Sequence, residues 1–170
     1  MNGKLESGEI RKVSKVIMIC GKICGGKSTY AKNLRKADKA IVLSVDEIAL
    51  ALFGQDAGRK LDEYVAKTKM YLYQKSLEIL ESGIDVILDW GFWTKKERDF
   101  ARHFFKSRNI SNEFHYIDID DYEWNKRIEK RNQDVIAHKS NSYYIDMGLV
   151  QKFNSIFEKP DLSEIEHLVI

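Results

Sequence analysis

The stretch MICGKICGGKSTY, residues 18–30, decides the fold predicted for this chain. From Gly21 it reads G-x-x-x-x-G-K-S, the phosphate-binding loop motif, and an apolar run typical of a buried strand leads into it. Such a loop wraps its backbone N–H groups around phosphate oxygens, while Lys27 reaches the β- and γ-phosphates and the Ser28 hydroxyl binds Mg²⁺. The motif predicts nucleotide contacts from Gly21, Lys22, Ile23, Cys24, Gly25, Gly26, Lys27, Ser28 and Thr29.

The rest of the chain alternates short apolar runs with longer helical patterns. Strand-sized runs lie at residues 15–20, 40–44, 84–89, 113–119 and 166–170. Strands that alternate with helices predict an α/β fold, in which a parallel sheet is covered by helices on both faces. We expect a flexible tail at residues 1–12, one domain at residues 13–170, and a mobile polar loop at residues 133–144.

Composition and charge exclude several classes of protein. Of the 170 residues 44% are apolar and 32% are charged, and the net charge of +2 gives no global basic field for nucleic acid. No apolar run approaches the roughly 20 residues that span a bilayer. Cys20 and Cys24 both lie in or beside the phosphate loop. A disulfide between them would restrain a loop that has to wrap around phosphates, so we expect reduced thiols. These features predict a cytoplasmic protein that does not bind membranes, present as a monomer or homodimer.

Two common uses of a phosphate loop lack their other motifs here. A motor ATPase usually follows the acidic residue of its third strand with a glutamate that polarises water, but Trp90 follows Asp89. A switch GTPase reads guanine with Asn-Lys-x-Asp, whereas the pair Asn125-Lys126 is followed by Ile128 two positions later and lies on a predicted helix. Of the common uses of a phosphate loop, the one left is the transfer of a phosphoryl group to an acceptor.

Acidic and aromatic side chains are predicted at the carboxyl edge of the sheet, where parallel sheets bind their ligands. Asp46 follows the second strand and could accept the proton of an acceptor hydroxyl, or could be a helix N-cap. Asp89 ends the third strand and could hold Mg²⁺, place the acceptor, or start a turn. Trp90, Phe92 and Trp93 follow it and could form the floor of an acceptor pocket or belong to the core.

Basic side chains supply further candidates. Arg127 and Arg131 lie four residues apart on a predicted helix before the polar loop, and could close over the transferring phosphate or form a solvated charged face. Arg98 could reach the ligand crevice or pair with a neighbouring acid. The histidines show no ligand spacing, so the sequence predicts no zinc site at His103, His115, His138 or His167.

Six segments together resemble a known family. They are GKICGGKST, LSVDEI, VILDWGFWTKKERDFAR, HYIDI, RIEKRN and FNSIFEKP, in the order and spacing of small bacterial P-loop kinases. This group is similar to zeta toxins, chloramphenicol phosphotransferase and the kinase domain of polynucleotide kinase, and the resemblance covers nearly all of residues 13–170. It implies a three-layer α/β/α P-loop NTPase fold, with a five-stranded parallel sheet of order 2-3-1-4-5 and a short lid. It also implies Mg-ATP as the donor, Asp46 as the residue that activates the acceptor hydroxyl, and Arg127 and Arg131 as lid arginines.

The sequence thus predicts a kinase that transfers the γ-phosphate of Mg-ATP to a hydroxyl of an antibiotic, a sugar or a nucleotide. The predicted catalytic residues are Lys27, Asp46, Arg127 and Arg131; the predicted acceptor contacts are Asp46, Asp89, Trp90, Trp93 and Arg98; the predicted magnesium ligands are Ser28 and Asp89. Two alternatives are a 5′-hydroxyl polynucleotide kinase, with nucleic acid as partner, and a nucleotide-gated ATP-binding protein without phosphotransfer. Asp46 counts against the second, because a pure binder needs no base.

Overall fold

The computed structural model describes residues 13–56 and 58–170, so the tail predicted at residues 1–12 lies outside the described residues. The strands are β1 (Lys15–Gly21), β2 (Ile41–Ser44), β3 (Val86–Asp89), β4 (Ser111–Ile117) and β5 (His167–Val169). The helices are α1 (Lys27–Asp38), α2 (Val45–Phe53), α3 (Leu61–Glu81), α4 (Lys95–Lys106), α5 (Asp121–Ile136) and α6 (Met147–Ile156), and single 3₁₀ turns lie at Gly58–Lys60 and Leu162–Glu164. Within the described ranges, no helix has the length and apolar character needed to cross a membrane.

One parallel sheet of order β2-β3-β1-β4-β5 organises the chain. This order confirms the predicted P-loop NTPase fold. The central strand β1 is fully buried at residues 16–20. Its side chains point alternately to two apolar layers, Val16 and Met18 toward α3 and α4, and Ile17 and Ile19 toward α1. Because both faces are covered, the run VIMIC at residues 16–20 is apolar throughout instead of alternating with polar residues.

Strand register brings the ends of three strands to one edge of the sheet. Asp89, the last residue of β3, is level with Ile19 in β1 and with Ser44 in β2. The phosphate loop starts two residues beyond Ile19, and Asp46 lies two residues beyond Ser44. The parallel arrangement therefore places the loop, Asp46 and Asp89 side by side.

The loop predicted at residues 133–144 is shorter than expected. Helix α5 continues to Ile136, so the prediction was wrong for the first four of these residues. The coil that follows is attached to α5, because the Asn132 side chain donates to the Ile145 carbonyl at 2.8 Å and accepts from the Ile145 N–H at 2.8 Å. We define residues 137–146 as the lid loop.

Candidate active site

The phosphate loop is closed around the ammonium group of Lys27. Its Nζ donates to the carbonyl oxygens of Gly21 at 3.0 Å and Lys22 at 2.7 Å. Glycine is required at Gly21, because a Cβ there would lie 2.7 Å from the Ile117 carbonyl oxygen. The motif therefore forms a loop that wraps around the Lys27 ammonium group, which is the arrangement that binds the phosphates of a nucleotide.

Four predicted residues share one electrostatic environment. Burial lowers the pKa of Lys27, while the nearby carboxylates of Asp89 and Asp46 oppose this shift. Burial raises the pKa of Asp89, and the hydrogen bond from the Ser28 hydroxyl and the charge of Lys27 oppose that shift. The lysine, both carboxylates and the serine hydroxyl thus lie close enough to act on the same bound molecule.

Asp46 lies inside the first turn of α2 and is not its N-cap. The cap is Ser44, whose Oγ accepts a hydrogen bond from the Glu47 N–H at 3.3 Å. Asp46 is exposed, and its carboxylate makes no hydrogen bond to the described residues. The N-cap alternative for Asp46 is therefore wrong, and its carboxylate is free to meet a ligand.

A cleft of about 1120 Å³ opens from the phosphate loop toward α2, α3 and α6. Thirteen predicted site residues line it: Ile23, Cys24, Gly25, Gly26, Lys27, Ser28, Thr29, Asp46, Asp89, Trp90, Trp93, Arg127 and Arg131. Gly21 and Lys22 do not line it, and instead form the base of the loop beneath Lys27. Most of the predicted site therefore belongs to a single cavity.

The aromatic segment after β3 divides between the core and the cleft. Phe92 is buried and stacks on Trp90 at a ring distance of 5.1 Å, so Phe92 belongs to the core. Trp90 is also largely buried, but it lines the cleft. Trp93 packs on Phe153 of α6 at 4.3 Å and forms part of the cleft wall. Gly91 makes this possible, because a Cβ there would lie 2.0 Å from the Trp93 ring.

Arg98 does not contribute to the cleft. Its side chain is only 2% exposed, and its Nε pairs with Glu164 at 2.8 Å. Its Nη1 donates to the carbonyl oxygens of Phe92 at 3.2 Å and Glu158 at 2.9 Å. The predicted substrate contact is therefore wrong. Arg98 pairs with an acid, as the alternative interpretation expected, but that acid is Glu164, which is distant in the sequence, and the pair joins the turn after β3 to the C-terminal segment.

The two predicted lid arginines both contact the phosphate loop. Arg127 donates from Nη1 to the Gly25 carbonyl at 3.0 Å and pairs with Glu123 at 2.8 Å. Arg131 approaches the Cys24 Sγ with its Nη1 at 3.1 Å. A purely solvated face would not make these contacts, so α5 holds two guanidinium groups at the rim of the nucleotide site.

Replacing Arg127 or Arg131 with alanine is expected to reduce turnover far more than ATP affinity, because cationic charge acts most on the charge that develops during phosphoryl transfer. Steady-state kinetics and calorimetry with an ATP analogue measure the two effects separately. Lys126→Ala is the matched control, since this exposed lysine lies on α5 but does not line the cleft. Small, equal effects at all three positions would mean that Arg127 and Arg131 only contribute to a solvated charged face of α5.

Three cleft residues were missed by sequence reasoning. Lys69 of α3 pairs with Glu97 of α4 at 2.7 Å inside the cleft wall. Burial opposes ionisation of Glu97, but this pairing and two backbone hydrogen bonds outweigh it and lower the pKa. Lys69 follows Val65 by four residues, so the helical period of α3 was the available signal. The Tyr143 hydroxyl of the lid loop is buried without a hydrogen-bond partner among the described residues, and no sequence pattern marks it.

The fold and this site define a nucleotide-binding protein of the P-loop class. Residues 16–158 match the model of the AAA domain family, and the chain belongs to that family. A comparison with curated proteins found no match.

Solved structures of two kinases and of a chain from an RNA repair complex share the fold. APS kinase CysC from Mycobacterium tuberculosis, solved with AMPPNP and APS, superposes with a TM-score of 0.61 at 18% identity, over 92% of this chain and 87% of that chain. A gluconokinase from Sinorhizobium meliloti gives a TM-score of 0.61 at 15% identity, over 94% and 82%. A chain of the Pnkp1/Rnl/Hen1 RNA repair complex gives 0.68 at 18% identity, over 91% and 46%.

Proposed function

We propose that this protein is a kinase that transfers the γ-phosphate of Mg-ATP to a hydroxyl group of a small molecule. One observation carries the proposal: Lys27, Asp46 and Asp89 converge at the phosphate end of a cleft that continues well beyond the loop. A nucleotide switch needs no such additional space. A phosphotransferase needs it to hold the acceptor in line with the γ-phosphate.

Each group at the phosphate end has a distinct task in this proposal. Lys27 stabilises the β- and γ-phosphates, and the hydrogen-bonded pair of Ser28 and Asp89 offers the oxygen ligands that Mg²⁺ prefers. Magnesium, when bound, would neutralise charge on the phosphates. Asp46 would accept the proton of the attacking hydroxyl, a role that fits its exposed carboxylate. Arg127 and Arg131 would turn from the loop atoms they now contact toward the transferring phosphoryl group.

The lining beyond the loop favours an acceptor with an apolar body. Apolar side chains from three helices form this part of the cleft: Ala49, Leu61, Val65, Ala66, Leu149, Phe153 and Ile156. Trp93 adds an aromatic ring to the same wall. Binding an apolar ligand against such a surface is favourable by roughly 25 cal/mol per Å² of apolar area removed from water. A bare polyol has little apolar area to bury and would not benefit in this way.

The charged side chains of this part of the cleft already face opposite charges, which favours an uncharged acceptor. The ammonium group of Lys69 is mostly buried against Glu97, and at the exposed rim Lys152 faces Asp62 at 3.4 Å. Gln55 donates to the Ser142 carbonyl at 2.8 Å. An anionic group that paired with Lys69 would have to displace the Glu97 carboxylate, which would then keep only its hydrogen bonds from the backbone N–H groups of Trp93 and Thr94.

The same pairing weighs against a polynucleotide acceptor, although a chain of an RNA repair complex shares the fold. Phosphate backbones are bound by clusters of unpaired lysines and arginines. In the described part of the chain, the cations that line the cleft outside the phosphate loop, α1 and α5 are Lys69 and Lys152, and each faces a carboxylate.

A panel of hydroxyl acceptors tests this proposal. Mg-ATP turnover would be compared with uncharged aromatic alcohols, an uncharged sugar, gluconate, and an oligonucleotide with a 5′-hydroxyl. We expect the aromatic alcohols to give a kcat/KM at least about tenfold above the others, since the burial of one ring is worth more than the 1.4 kcal/mol that a factor of ten requires. Preference for gluconate or the oligonucleotide would refute the acceptor class but not the kinase. ATP consumption that no acceptor increases would refute the kinase.

A further inference from the structure

Strand pairing assembles a cluster of two histidines and a glutamate far apart in the sequence. His115 of β4 and His167 of β5 are register partners, and Glu113 lies two residues before His115 on the same side of β4. The ligand atoms of all three side chains lie within 4.8 Å of one another. His115 Nε2 is 3.2 Å and His167 Nε2 is 3.9 Å from the same Glu113 oxygen, Oε2.

We propose that Glu113, His115 and His167 form a zinc-binding site. Two imidazole nitrogens and one carboxylate oxygen are a common set of three zinc ligands, with water as the fourth. Ligand atoms about 2.0–2.2 Å from a tetrahedral ion lie roughly 3.3–3.6 Å apart, so the two observed separations need adjustments of only a few tenths of an ångström. Magnesium, which prefers an octahedron of oxygen ligands, does not fit this set.

The surroundings of His115 prepare its Nε2 for a metal ion. The other ring nitrogen, Nδ1, lies 2.9 Å from the Tyr30 hydroxyl of α1. Nε2 lies 3.2 Å from Glu113 Oε2, where it donates to the carboxylate while no metal is bound. When zinc binds, the proton moves to Nδ1, which donates to the Tyr30 hydroxyl; this frees the Nε2 lone pair and fixes the ring orientation, as in many histidine ligands of zinc.

Lys15 is the competitor of a metal ion in this cluster. Its Nζ lies 3.0 and 2.9 Å from the two oxygens of Glu113. A zinc ion on Oε2 leaves Oε1 to the ammonium group, but it places two positive charges near each other. Lys15 is therefore expected to weaken zinc binding without preventing it, and removing its charge should strengthen binding.

The site is separate from the proposed chemistry. None of the three ligands lines the cleft in the described part of the chain. They join β4 to β5, the three-residue strand at the edge of the sheet. Bound zinc would thus hold the C-terminal strand in place, because a ligand that binds only the folded state stabilises it. Zinc binding at these three residues is independent of any kinase activity of the protein.

Zinc binding to the untagged full chain, without nucleotide, tests the site. Calorimetry with Zn²⁺ is expected to show one site on the wild type, and His167→Ala should weaken it at least about tenfold. His167 is 57% exposed, so its replacement should preserve the fold, whereas His115 is buried and its replacement need not. His103→Ala is the matched control, because this exposed histidine lies on α4 and should leave zinc affinity unchanged.

Two further measurements make the result specific. First, Lys15→Met should bind Zn²⁺ more tightly than the wild type. Second, zinc at a concentration a hundredfold above its dissociation constant should raise the melting temperature of the wild type by roughly 5–10 °C, and should not raise that of His167→Ala. Equal zinc affinity in the wild type and His167→Ala would place the ion elsewhere, for example at the cysteines, and would overturn the site. Failure of the wild type to bind Zn²⁺ would overturn it as well.

Discussion

Replacing Asp46 with asparagine is expected to slow phosphotransfer by about 10²–10⁴-fold, which is the usual contribution of a positioned general base. Asparagine keeps the shape of the side chain but cannot accept the proton of an acceptor hydroxyl. Binding of an ATP analogue should change little, because the loop, Lys27 and magnesium hold the phosphates. The melting temperature should also change little, since the N-cap of α2 is Ser44 and Asp46 is exposed.

Glu47→Gln is the matched control for this experiment. Glu47 lies beside Asp46 in the first turn of α2, is exposed, and does not line the cleft. It removes the same negative charge from the same helix terminus, an effect typically worth about 0.3–1 kcal/mol of stability. Equal reductions of the rate in both variants would mean that the loss of negative charge at the start of α2, and not the loss of a base, slows the reaction. A near wild-type rate in Asp46→Asn would remove Asp46 from the chemistry.

Replacing Lys27 with alanine is expected to lower ATP affinity at least tenfold. Charge-assisted contacts are typically worth about 1.5–3 kcal/mol, and a factor of ten corresponds to about 1.4 kcal/mol. The variant also loses the two hydrogen bonds from the ammonium group to the carbonyl oxygens of Gly21 and Lys22. The loop should therefore be less ordered, which adds to the loss of affinity.

Calorimetry with a non-hydrolysable ATP analogue, together with a melting curve, checks this expectation. Lys36→Ala is a suitable control, because Lys36 is exposed in the last turn of the same helix, α1. Wild-type affinity in Lys27→Ala, with the fold intact, would mean that the loop does not bind nucleotide phosphates in the way its sequence indicates.

The fold was predictable because local patterns and strand order agree. A strand covered on both faces must be apolar throughout, and β1 carries this signal directly. The positions of Lys27, Asp46 and Asp89 were predictable for a related reason: each follows or ends a strand, and the carboxyl ends of parallel strands meet at one edge. The sequence therefore locates the phosphate end of the cleft without further information.

The remaining features depend on contacts between distant segments. Whether Arg98 faces the cleft is decided by Glu164, 66 residues away, and its pairing turns the guanidinium away from the ligand. His115 and His167 have no ligand spacing in the sequence, yet strand pairing makes them neighbours. The net charge of the cleft wall around Trp93 likewise depends on the ion pair between Lys69 of α3 and Glu97 of α4. Side-chain partners of this kind follow from tertiary packing, which local patterns do not encode.

The destination of the γ-phosphoryl group of ATP tests the proposed activity most directly. Wild-type protein, Mg-ATP labelled in the γ-phosphate and the acceptor panel would be incubated together, and the label would be followed into phosphate esters and into inorganic phosphate. The account predicts that the label appears mainly in the phosphomonoester of an uncharged aromatic alcohol, and that Asp46→Asn abolishes most of this transfer. Label that appears in inorganic phosphate alone, at the same rate with and without acceptor, would contradict the account.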